Sequence, residues 1–395
     1  MISFDEAAAI VASVARPLGT ETLSLEKAAG RVLASDVDAM IDSPRRDVSA
    51  MDGYAVRDSD LARLPARLRV VGESFAGQVE VPSIGPGECV RIFTGGAVPD
   101  GADRIVIQEV VRRDEDWAIF DQKFGPARHI RPRASDFPVE ERLLSSGTLL
   151  TSRALVAAAA ADVGHVEVRQ VPRLVVLGTG DELAEPGTAR QRPAAIPESV
   201  SLGVASLAEQ WGAKCIGRVR LPDDLVQLGE AASEALAKAE LVVVTGGASV
   251  GERDFAKMMF RSAKLELFFS KVAIKPGKPV WLGRAGGTLV LGLPGNPTSA
   301  LVTARLFLAP LVAGLCGRDP ACAHGWRKAG LASAVPACGE RETFLRARWS
   351  GDCVEPLGDQ DSSAQKLLAE ADLLVRRPPG ASACAAGEAV EILDF

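Results

Sequence analysis

The chain has 395 residues, of which 47% are hydrophobic and 24% are charged, and its formal net charge at pH 7 is −6. This composition excludes extended disorder and is typical of a globular protein, while the length predicts about two to four domains. The negative charge argues against binding of nucleic acid or anionic lipid through bulk charge, so we expect small molecules or proteins as partners.

Nothing in the composition predicts export, a membrane span or a metal cluster. The stretch MISFDEAAAIVASVARPLG, residues 1–19, is acidic and amphipathic and lacks the basic region and apolar run of a signal peptide. We expect no segment to reach the ~18 apolar residues that a membrane span needs, which favours a cytoplasmic protein. The seven cysteines form no CxxC pair, so reduced structural or incidental thiols are expected.

The first half of the chain alternates helical and strand-like texture. A helix is predicted after the N-cap residue Ser3, with Pro17 and Gly19 ending it. Residues 44–140 contain short apolar alternations separated by Gly, Pro and Asp, which predict an antiparallel β insertion. Helical texture returns after it, so we assign residues 1–43 and 141–170 to one discontinuous domain.

In residues 171–317, short apolar strands alternate with helical segments, as in RLVVLGTGDEL and ELVVVTGGASVG. This alternation predicts an α/β domain with a mainly parallel sheet covered on both faces. Strand-like pieces return in residues 318–395 and predict a small C-terminal β module. The fold class expected from the sequence is therefore multidomain α/β.

Three glycine-containing loops follow predicted strands, at residues 178–183, 245–254 and 292–300. Ligands bind beyond the carboxyl ends of parallel strands, where backbone amides and helix N-termini favour anions. The loops match neither GxxxxGK[ST] nor GxGxxG, so a plain ATPase or dehydrogenase is not expected.

Carboxylates are concentrated at the same predicted edge. Without nearby His or Cys they suit a hard cation such as Mg²⁺, whereas helix capping and solvated turns are the alternative interpretation. The residues concerned are Asp181, Glu182, Asp223, Asp224, Glu252 and Asp254.

Lysines are concentrated in SKVAIKPGKP, residues 270–279, which contains Lys271, Lys275 and Lys278. The glycine and prolines of this stretch favour a rigid backbone that directs ammonium groups at a phosphate or another oxyanion. A solvated charged surface is the alternative.

A second polar set lies in the insertion. The stretch SAMDGYAVR, residues 49–57, holds the only tyrosine, Tyr54, in a segment that looks too polar to be core. IFTGG offers Thr94, and HIRPRASD offers Arg131, Arg133 and Asp136. Two polar sets in separate modules suggest a cleft between modules or between subunits.

Six of these stretches, in register along the chain, resemble the molybdopterin molybdenumtransferase family, which includes the bacterial MoeA proteins and the gephyrin E domain. The motifs are SAMDGYAVR, RIFTGGAVPDGADRIVIQE, LGTGDEL, VVTGGASVGERDFAK, VAIKPGKPVWLG and GLPGNPTSALVT. The resemblance implies that the discontinuous domain is elongated, that the C-terminal module is a β-barrel and that residues 171–317 bind molybdopterin. It implies further that two subunits form a homodimer and share each active site. It also implies Mg²⁺-dependent insertion of molybdate into adenylylated molybdopterin with release of AMP, the last step of molybdenum cofactor synthesis.

Residue roles are implied by position in the same motifs. Catalytic roles are implied for Asp52, Thr94, Arg131, Asp136, Glu182, Asp254, Lys271 and Lys275. Substrate contacts are implied for Gly246, Gly247, Ser249, Lys278, Pro294, Pro297, Ser362 and Ser363, and Mg²⁺ ligands for Glu182, Asp223, Asp224 and Asp254. Tyr54 is expected to frame Asp52 in the family's loop. Molybdopterin adenylyltransferase or molybdoenzyme chaperones are the implied protein partners.

The chain departs from the family pattern at three places. Where the family usually has Phe-Asp-Asn, this chain has Arg46, Asp47 and Val48. Where the family has an Arg followed by Gly-Glu-Asp, Ala134 and Ser135 precede Asp136. The segment that usually ends in Tyr-Asp-Asn or Tyr-Asp-Ser is Ile196, Pro197, Glu198 and Ser199. Two other functions therefore stay open: nucleotidyl transfer of the molybdopterin adenylyltransferase type, and a catalytically reduced paralogue that acts as a pterin-binding scaffold.

Overall fold

The structure is a computed structural model that describes residues 1–247 and 255–395. Its first helix, Phe4–Val14, begins with a capping box. Ser3 Oγ accepts a hydrogen bond from Glu6 N at 3.2 Å, and Glu6 Oε2 accepts one from Ser3 N at 2.8 Å. The reciprocal pair satisfies two amides at the start of the helix. The helix ends at Val14, before the predicted stop at Pro17.

Two stretches of sequence on either side of the insertion pair with each other. Strand Thr20–Ser24 lies antiparallel to His165–Arg169, and Val37–Asp38 lies antiparallel to Arg142–Leu144. The helix Ser152–Ala160 connects the second members of these pairs. The N-terminal part of the molecule is therefore built from two separate segments of the chain.

The insertion contains a six-stranded sheet and a small two-stranded one. The strands of the larger sheet are, in spatial order, Arg104–Ile107, Gly53–Val56, Glu88–Ile92, Ala66–Ser74, Trp117–Phe120 and Arg112–Asp114. Val48–Ser49 pairs with Ile130–Arg131 in the smaller sheet. The expectation of a purely antiparallel module is wrong at one pair, because Ala66–Ser74 and Glu88–Ile92 run parallel. Two consecutive strands can run parallel only if the connection between them crosses back to the end at which the first strand began. Residues 75–87 form that connection.

Tyr54 lies in the core and not in a loop, contrary to the expectation from its polar surroundings. It belongs to the strand Gly53–Val56, all of whose residues are buried, and it is only 5% exposed. Its ring packs edge-to-face on Phe120 at 6.2 Å, and the Arg91 guanidinium lies over it at 5.2 Å. The strand is not evident from the sequence because its apolar run is short and turn residues directly precede it.

The α/β part is organised around a second six-stranded sheet. Its strands are, in spatial order, Lys214–Leu221, Arg173–Thr179, Leu241–Thr245, Thr288–Leu293, Trp281–Ala285 and Glu266–Phe269. The first four run parallel, and the last two are antiparallel to their neighbours. A short parallel pair, Leu183–Ala184 with Ile196–Pro197, lies outside this sheet.

Helices cover both faces of this central sheet. The strand Arg173–Thr179 shows the division: Leu174 and Val176 belong to one hydrophobic core, whereas Val175 and Leu177 belong to another. Burial of both faces explains its continuous apolar run. The α-helices around it are Val200–Gln210, Leu225–Lys238, Phe255–Met258, Pro297–Thr303 and Ala309–Leu315.

The last two of these helices join through a π-helical turn, Ala304–Leu308. Within the described part of the chain, Pro297–Leu315 is the one helix long and apolar enough to cross a membrane, and 94% of its most apolar window is buried. The segment meets this criterion by length and mean composition only, because Thr298, Ser299, Thr303 and Arg305 interrupt its apolar residues. The burial shows that this segment is a core helix of the α/β part.

The C-terminal strands close into a barrel. Around the barrel they follow the order Glu342–Ser350, Cys353–Pro356, Arg327–Leu331, Ala389–Asp394 and Leu373–Arg377, and the last pairs back with the first. A short strand of the α/β part, Ile274–Lys275, adds to Glu342–Ser350 from outside. Helix Gln365–Ala369 and the 3₁₀ turns Leu25–Lys27, Asp58–Leu61, Gln108–Val110, Ala189–Gln191 and Pro320–His324 complete the described elements. The predicted multidomain α/β fold with a C-terminal β-barrel is confirmed.

Candidate functional site

A cavity of about 740 Å³ opens at the carboxyl edge of the central sheet. Thr179 and Thr245, the last residues of two parallel strands, line it, and Pro294 lines it directly after a third. Ser363 and Gln365 reach it from the barrel part of the chain. The three glycine-containing loops thus meet in one place, as expected for loops that follow parallel strands.

Two glycines expose bare backbone to this cavity. Gly246 has φ +87°, and a Cβ there would lie 2.5 Å from the carbonyl oxygen of Thr179. Gly247 has φ +63°, and a Cβ there would lie 3.1 Å from Ala256 N. Side chains are therefore excluded at both positions, and a ligand can approach the main chain closely. The predicted substrate contact Ser249 and the predicted catalytic Asp254 lie outside the described residues.

Acidic side chains gather on one side of the cavity. Glu182 and Asp223 line it, and Asp223 N donates a hydrogen bond to Asp181 Oδ1 at 3.1 Å. Burial raises the pKa of Asp223, and repulsion from the carboxylates of Asp181 and Glu182 raises it further. No ion pair among the described residues involves these three acids. The cluster therefore favours a cationic or proton-sharing ligand.

Asp224, predicted as a metal ligand, caps a helix. It is the N-cap of the helix Leu225–Lys238, and its Oδ1 accepts hydrogen bonds from Val226 N at 3.1 Å and Gln227 N at 2.9 Å. It is not among the residues that line the cavity. The helix-capping alternative noted for these acids therefore fits Asp224, whereas Asp223 lies at the cavity.

The lysine-rich stretch lies beside the cavity and not in its wall. Lys271, Lys275 and Lys278 are exposed, and Pro279 is the residue of this stretch that lines the cavity. The strand Ile274–Lys275 is held by the barrel, where Lys275 pairs with Thr343. The backbone of the stretch is thus fixed by strand pairing, a contact that its sequence does not reveal.

A serine-bearing loop of the barrel part forms one portion of the cavity wall. Asn296 Nδ2 donates a hydrogen bond to Ser362 Oγ at 2.9 Å, and Thr298 N donates one to the Ser362 carbonyl at 3.3 Å. Ser363 lines the cavity together with Asn296 and Pro297. The loop is therefore attached to the start of the helix that Pro297 begins. Ser363 and Pro297 line the wall, and Ser362 joins the two parts.

Glu198 is a cavity residue that sequence reasoning did not assign to the site. It is 7% exposed, and its carboxylate accepts hydrogen bonds from Ser201 N at 2.8 Å and from the Ser201 hydroxyl. Arg218 in turn donates to Ser201 Oγ at 3.3 Å. The one feature of the sequence that pointed to a role for Glu198 in the site is its position next to Pro197, where the chain departs from the family pattern.

Asp52 and Thr94 meet in the insertion. Asp52 Oδ1 accepts hydrogen bonds from Thr94 N at 2.7 Å and from Thr94 Oγ1 at 2.8 Å. These bonds, first that of the amide and then that of the hydroxyl, lower the pKa of Asp52, and the nearby Arg91 lowers it further. The two predicted site residues therefore form one preorganised unit.

Arg131 and Asp136, the other predicted site residues of the insertion, have partners outside this unit. Arg131 pairs with Val48 in the small sheet, and Asp136 Oδ2 accepts a hydrogen bond from Ser43 Oγ at 3.4 Å. None of the residues that line the 740 Å³ cavity comes from residues 44–140. Within one chain, residues of the α/β and barrel parts therefore form the cavity. The Asp52–Thr94 pair lies in the insertion and is not part of the cavity wall.

Two of the departures from the family pattern have structural partners of their own. The Arg46 guanidinium donates to the carbonyl oxygens of Gln78 and Val79. Ala134 has φ +57°, in the left-handed region, and Ser135 N donates to the Pro132 carbonyl at 3.1 Å. The run before Asp136 is therefore a tight turn in this chain.

The fold and the cavity define a multidomain α/β protein with a ligand cavity at the carboxyl edge of its parallel strands and a closed barrel at its C-terminus. Three family profiles match it: "MoeA N-terminal region (domain I and II)" at residues 2–162, "Probable molybdopterin binding domain" at 175–314, and "MoeA C-terminal region (domain IV)" at 328–395. The chain belongs to the MoeA family.

Two relatives that align with most or all of the chain carry names from the same family. The chain is 34% identical to molybdopterin molybdenumtransferase 2 of Mycobacterium tuberculosis over 100% of both chains. It is 37% identical to the molybdopterin molybdenumtransferase of Haemophilus influenzae over 85% of this chain and 81% of that relative. A crystal structure of a MoeA protein of Pyrococcus horikoshii is similar with a TM-score of 0.83 at 29% identity, covering 100% of this chain and 99% of that one.

Proposed function

We propose that this protein is a molybdopterin molybdenumtransferase that inserts molybdate into adenylylated molybdopterin and releases AMP, in a step that depends on Mg²⁺. The observation that carries the proposal is the cavity at the carboxyl edge of the central sheet, found in a chain that matches curated transferases of this name over its full length. The proposal includes the division into domains at residues 1–43 with 141–170, 44–140, 171–317 and 318–395.

The wall of the cavity suits an elongated substrate with phosphate groups. Gly246 and Gly247 line the cavity without side chains, and the helix that begins at Pro297 has its N-terminal residues Asn296 and Pro297 in the same wall. Both features stabilise phosphate oxygens. The volume of about 740 Å³ falls within the range of small-molecule cavities. The pterin and the nucleotide would therefore bind along the strand ends.

The acidic side chains of the cavity supply part of the ligand set that Mg²⁺ requires. Glu182 and Asp223 supply the oxygen ligands that hard cations prefer, and their mutual repulsion is what a cation relieves. The described residues contain no group of three His, Cys, Asp or Glu side chains able to hold a metal ion. We therefore propose Glu182 and Asp223 as the ligands on this wall, with phosphate oxygens and water as the others. Bound Mg²⁺ would neutralise phosphate charge.

We further propose that the site is completed in a homodimer. Asp52, Thr94, Arg131 and Asp136 would come from the insertion of one subunit and would face the cavity of its partner, with Lys271, Lys275 and Lys278 at the cavity rim binding molybdate or phosphate. The Asp52–Thr94 pair supports this, because its carboxylate is fixed in place and yet does not line the cavity of its own chain. Adenylylated substrate would come from an adenylyltransferase, and product would pass to a molybdoenzyme chaperone.

AMP release by the purified protein, supplied with adenylylated molybdopterin, molybdate and Mg²⁺, tests the proposal. We expect AMP release that requires both ions and that falls by about a hundredfold in Asp223→Asn, the scale of losing one electrostatic contact to a reacting group. Glu185→Gln is the matched control, because Glu185 is exposed and does not line the cavity. Circular dichroism melting checks that both variants fold.

The other outcomes of this assay are informative. Formation of adenylylated molybdopterin from ATP and molybdopterin would identify nucleotidyl transfer as the activity. Tight binding of the pterin nucleotide without AMP release would identify a scaffold. Normal turnover in Asp223→Asn would reject the assignment of this acid while leaving the reaction itself intact.

A further inference from the structure

The C-terminal barrel contains a buried cation without a carboxylate partner. Arg377 ends the strand Leu373–Arg377 and is 2% exposed. Its Nη1 donates to Cys384 Sγ, its Nη2 donates to the Ser382 carbonyl, and its Nε has no hydrogen-bond partner. No ion pair among the described residues includes it. A buried guanidinium normally has an anionic partner, so this one lacks a compensating charge.

Two thiols occupy the position where that anion would be expected. Burial opposes the charge on Arg377, yet hydrogen bonds with Cys338 and Cys384 raise the pKa of the guanidinium above its ordinary value. The two cysteine segments are joined by backbone bonds: Cys384 N donates to the Val335 carbonyl at 3.0 Å, and Cys338 N donates to the Ala381 carbonyl at 2.8 Å. The sulfurs and the guanidinium therefore form one fixed cluster.

This environment differs from that of other cysteines in the chain. Burial raises the pKa of the Cys89 thiol to about 12 and that of the Cys316 thiol to about 11. Burial also raises the pKa of Cys215 and Cys322. These four thiols stay protonated and are poor nucleophiles. Cys384 is half-buried, and its sulfur accepts a hydrogen bond from the Arg377 guanidinium.

We propose that Cys384 is an oxidation site for hydroperoxides and that Arg377 promotes its oxidation by stabilising anionic sulfur. The thiolate sulfur attacks one oxygen of hydrogen peroxide, so an S–O bond forms and the O–O bond breaks. Hydroxide leaves with the bonding electron pair. The sulfur is oxidised by two electrons to sulfenic acid, and the peroxide is reduced. The Arg377 guanidinium, which donates to Cys384 Sγ, stabilises the negative charge on the attacking sulfur. When hydroxide takes the proton of the sulfenic acid and leaves as water, the same guanidinium stabilises the sulfenate. The inference does not depend on the proposed transferase activity.

Peptide mass spectrometry of the full-length protein, after limiting hydrogen peroxide in the presence of dimedone, tests this proposal. Cys384 should be oxidised first, either as the dimedone adduct or as a disulfide to Cys338. Its rate should fall by about tenfold in Arg377→Gln and only partly in Arg377→Lys, because lysine keeps the charge. Arg348→Gln is the control, since Arg348 is an exposed barrel arginine that pairs with Glu370.

The order of oxidation in the unmodified protein decides the question even if Arg377→Gln does not fold. Oxidation of Cys322 or Cys353 before Cys384 would overturn the proposal. An unchanged rate at Cys384 in a folded Arg377→Gln protein would overturn the role of the guanidinium. Cys384→Ser should remove the fastest phase of peroxide consumption and leave the slower phases.

Discussion

At the scale of single residues, Thr94 stabilises the ionised form of Asp52. Two hydrogen bonds to one carboxylate oxygen stabilise the ionised form, so the pKa of Asp52 lies below its ordinary value of 3.8. Because the folded pKa is lower than the unfolded pKa, this interaction stabilises the fold fully above the unfolded pKa. The contribution is lost as the pH falls through the lowered pKa. Asp52 therefore enters any reaction at neutral pH as an anion.

We predict that Thr94→Val raises the pKa of Asp52 but leaves it below 3.8, because the variant loses the hydroxyl donor and keeps the backbone N–H donor, the larger cause of the shift. Thr94→Ser should keep the native value, since serine retains the hydroxyl. Carboxyl-carbon NMR of aspartate-labelled protein, titrated from about pH 2 to about pH 6, measures the shift. An Asp52 pKa equal in the valine and serine variants would show that the hydroxyl contributes nothing.

At the scale of elements, the N-terminal helix depends on its capping box. Ser3 and Glu6 exchange hydrogen bonds between side chain and backbone at the first turn. We predict that Ser3→Ala lowers the local stability of Phe4–Val14 by about 1 kcal/mol, the usual cost of losing such a cap. Protection of its amides in hydrogen–deuterium exchange should fall about fivefold.

Ser13→Ala is the matched control for this change. Ser13 lies near the other end of the same helix, is exposed, and donates only to the Ile10 carbonyl at 2.7 Å. Its replacement should alter protection by less than about 0.5 kcal/mol. Equal losses of protection in the two variants would mean that packing of the helix, and not its cap, determines its stability.

The elements that the sequence predicts best are those with strong local patterns. Strands Arg173–Thr179 and Leu241–Thr245 contain the uninterrupted apolar runs LVVL and LVVV because both faces of the sheet are covered, and these runs are evident in the sequence. The strand Ile274–Lys275 is different, because it exists only through pairing with the barrel strand Glu342–Ser350. Likewise the strand of Tyr54 is too short and too close to turn residues for a pattern to emerge. Pairings between distant segments have no local signal.

At the scale of the whole molecule, the sequence predicts one half of the candidate site better than the other. Parallel strands end at the same edge, so the meeting of Glu182, Asp223 and Pro294 follows from the order of the elements. Nothing in the sequence fixes how the insertion packs against another module, because such contacts depend on surfaces and not on periodicity. The position of Asp136 relative to the cavity therefore stays a prediction about two subunits.

Mixing two inactive variants tests that prediction. Asp136→Ala changes the insertion, and Lys275→Ala changes the stretch that the barrel holds beside the cavity. If each site takes its insertion from the partner subunit, a mixed dimer contains one doubly altered site and one intact site. After random exchange of subunits half of the dimers are mixed, so AMP release should recover to ~25% of the native rate. If each site lies within one chain, every site carries one defect and mixing restores nothing. Asp52→Ala mixed with Asp136→Ala is the control, because both changes fall in the insertion and no arrangement of subunits then yields an intact site.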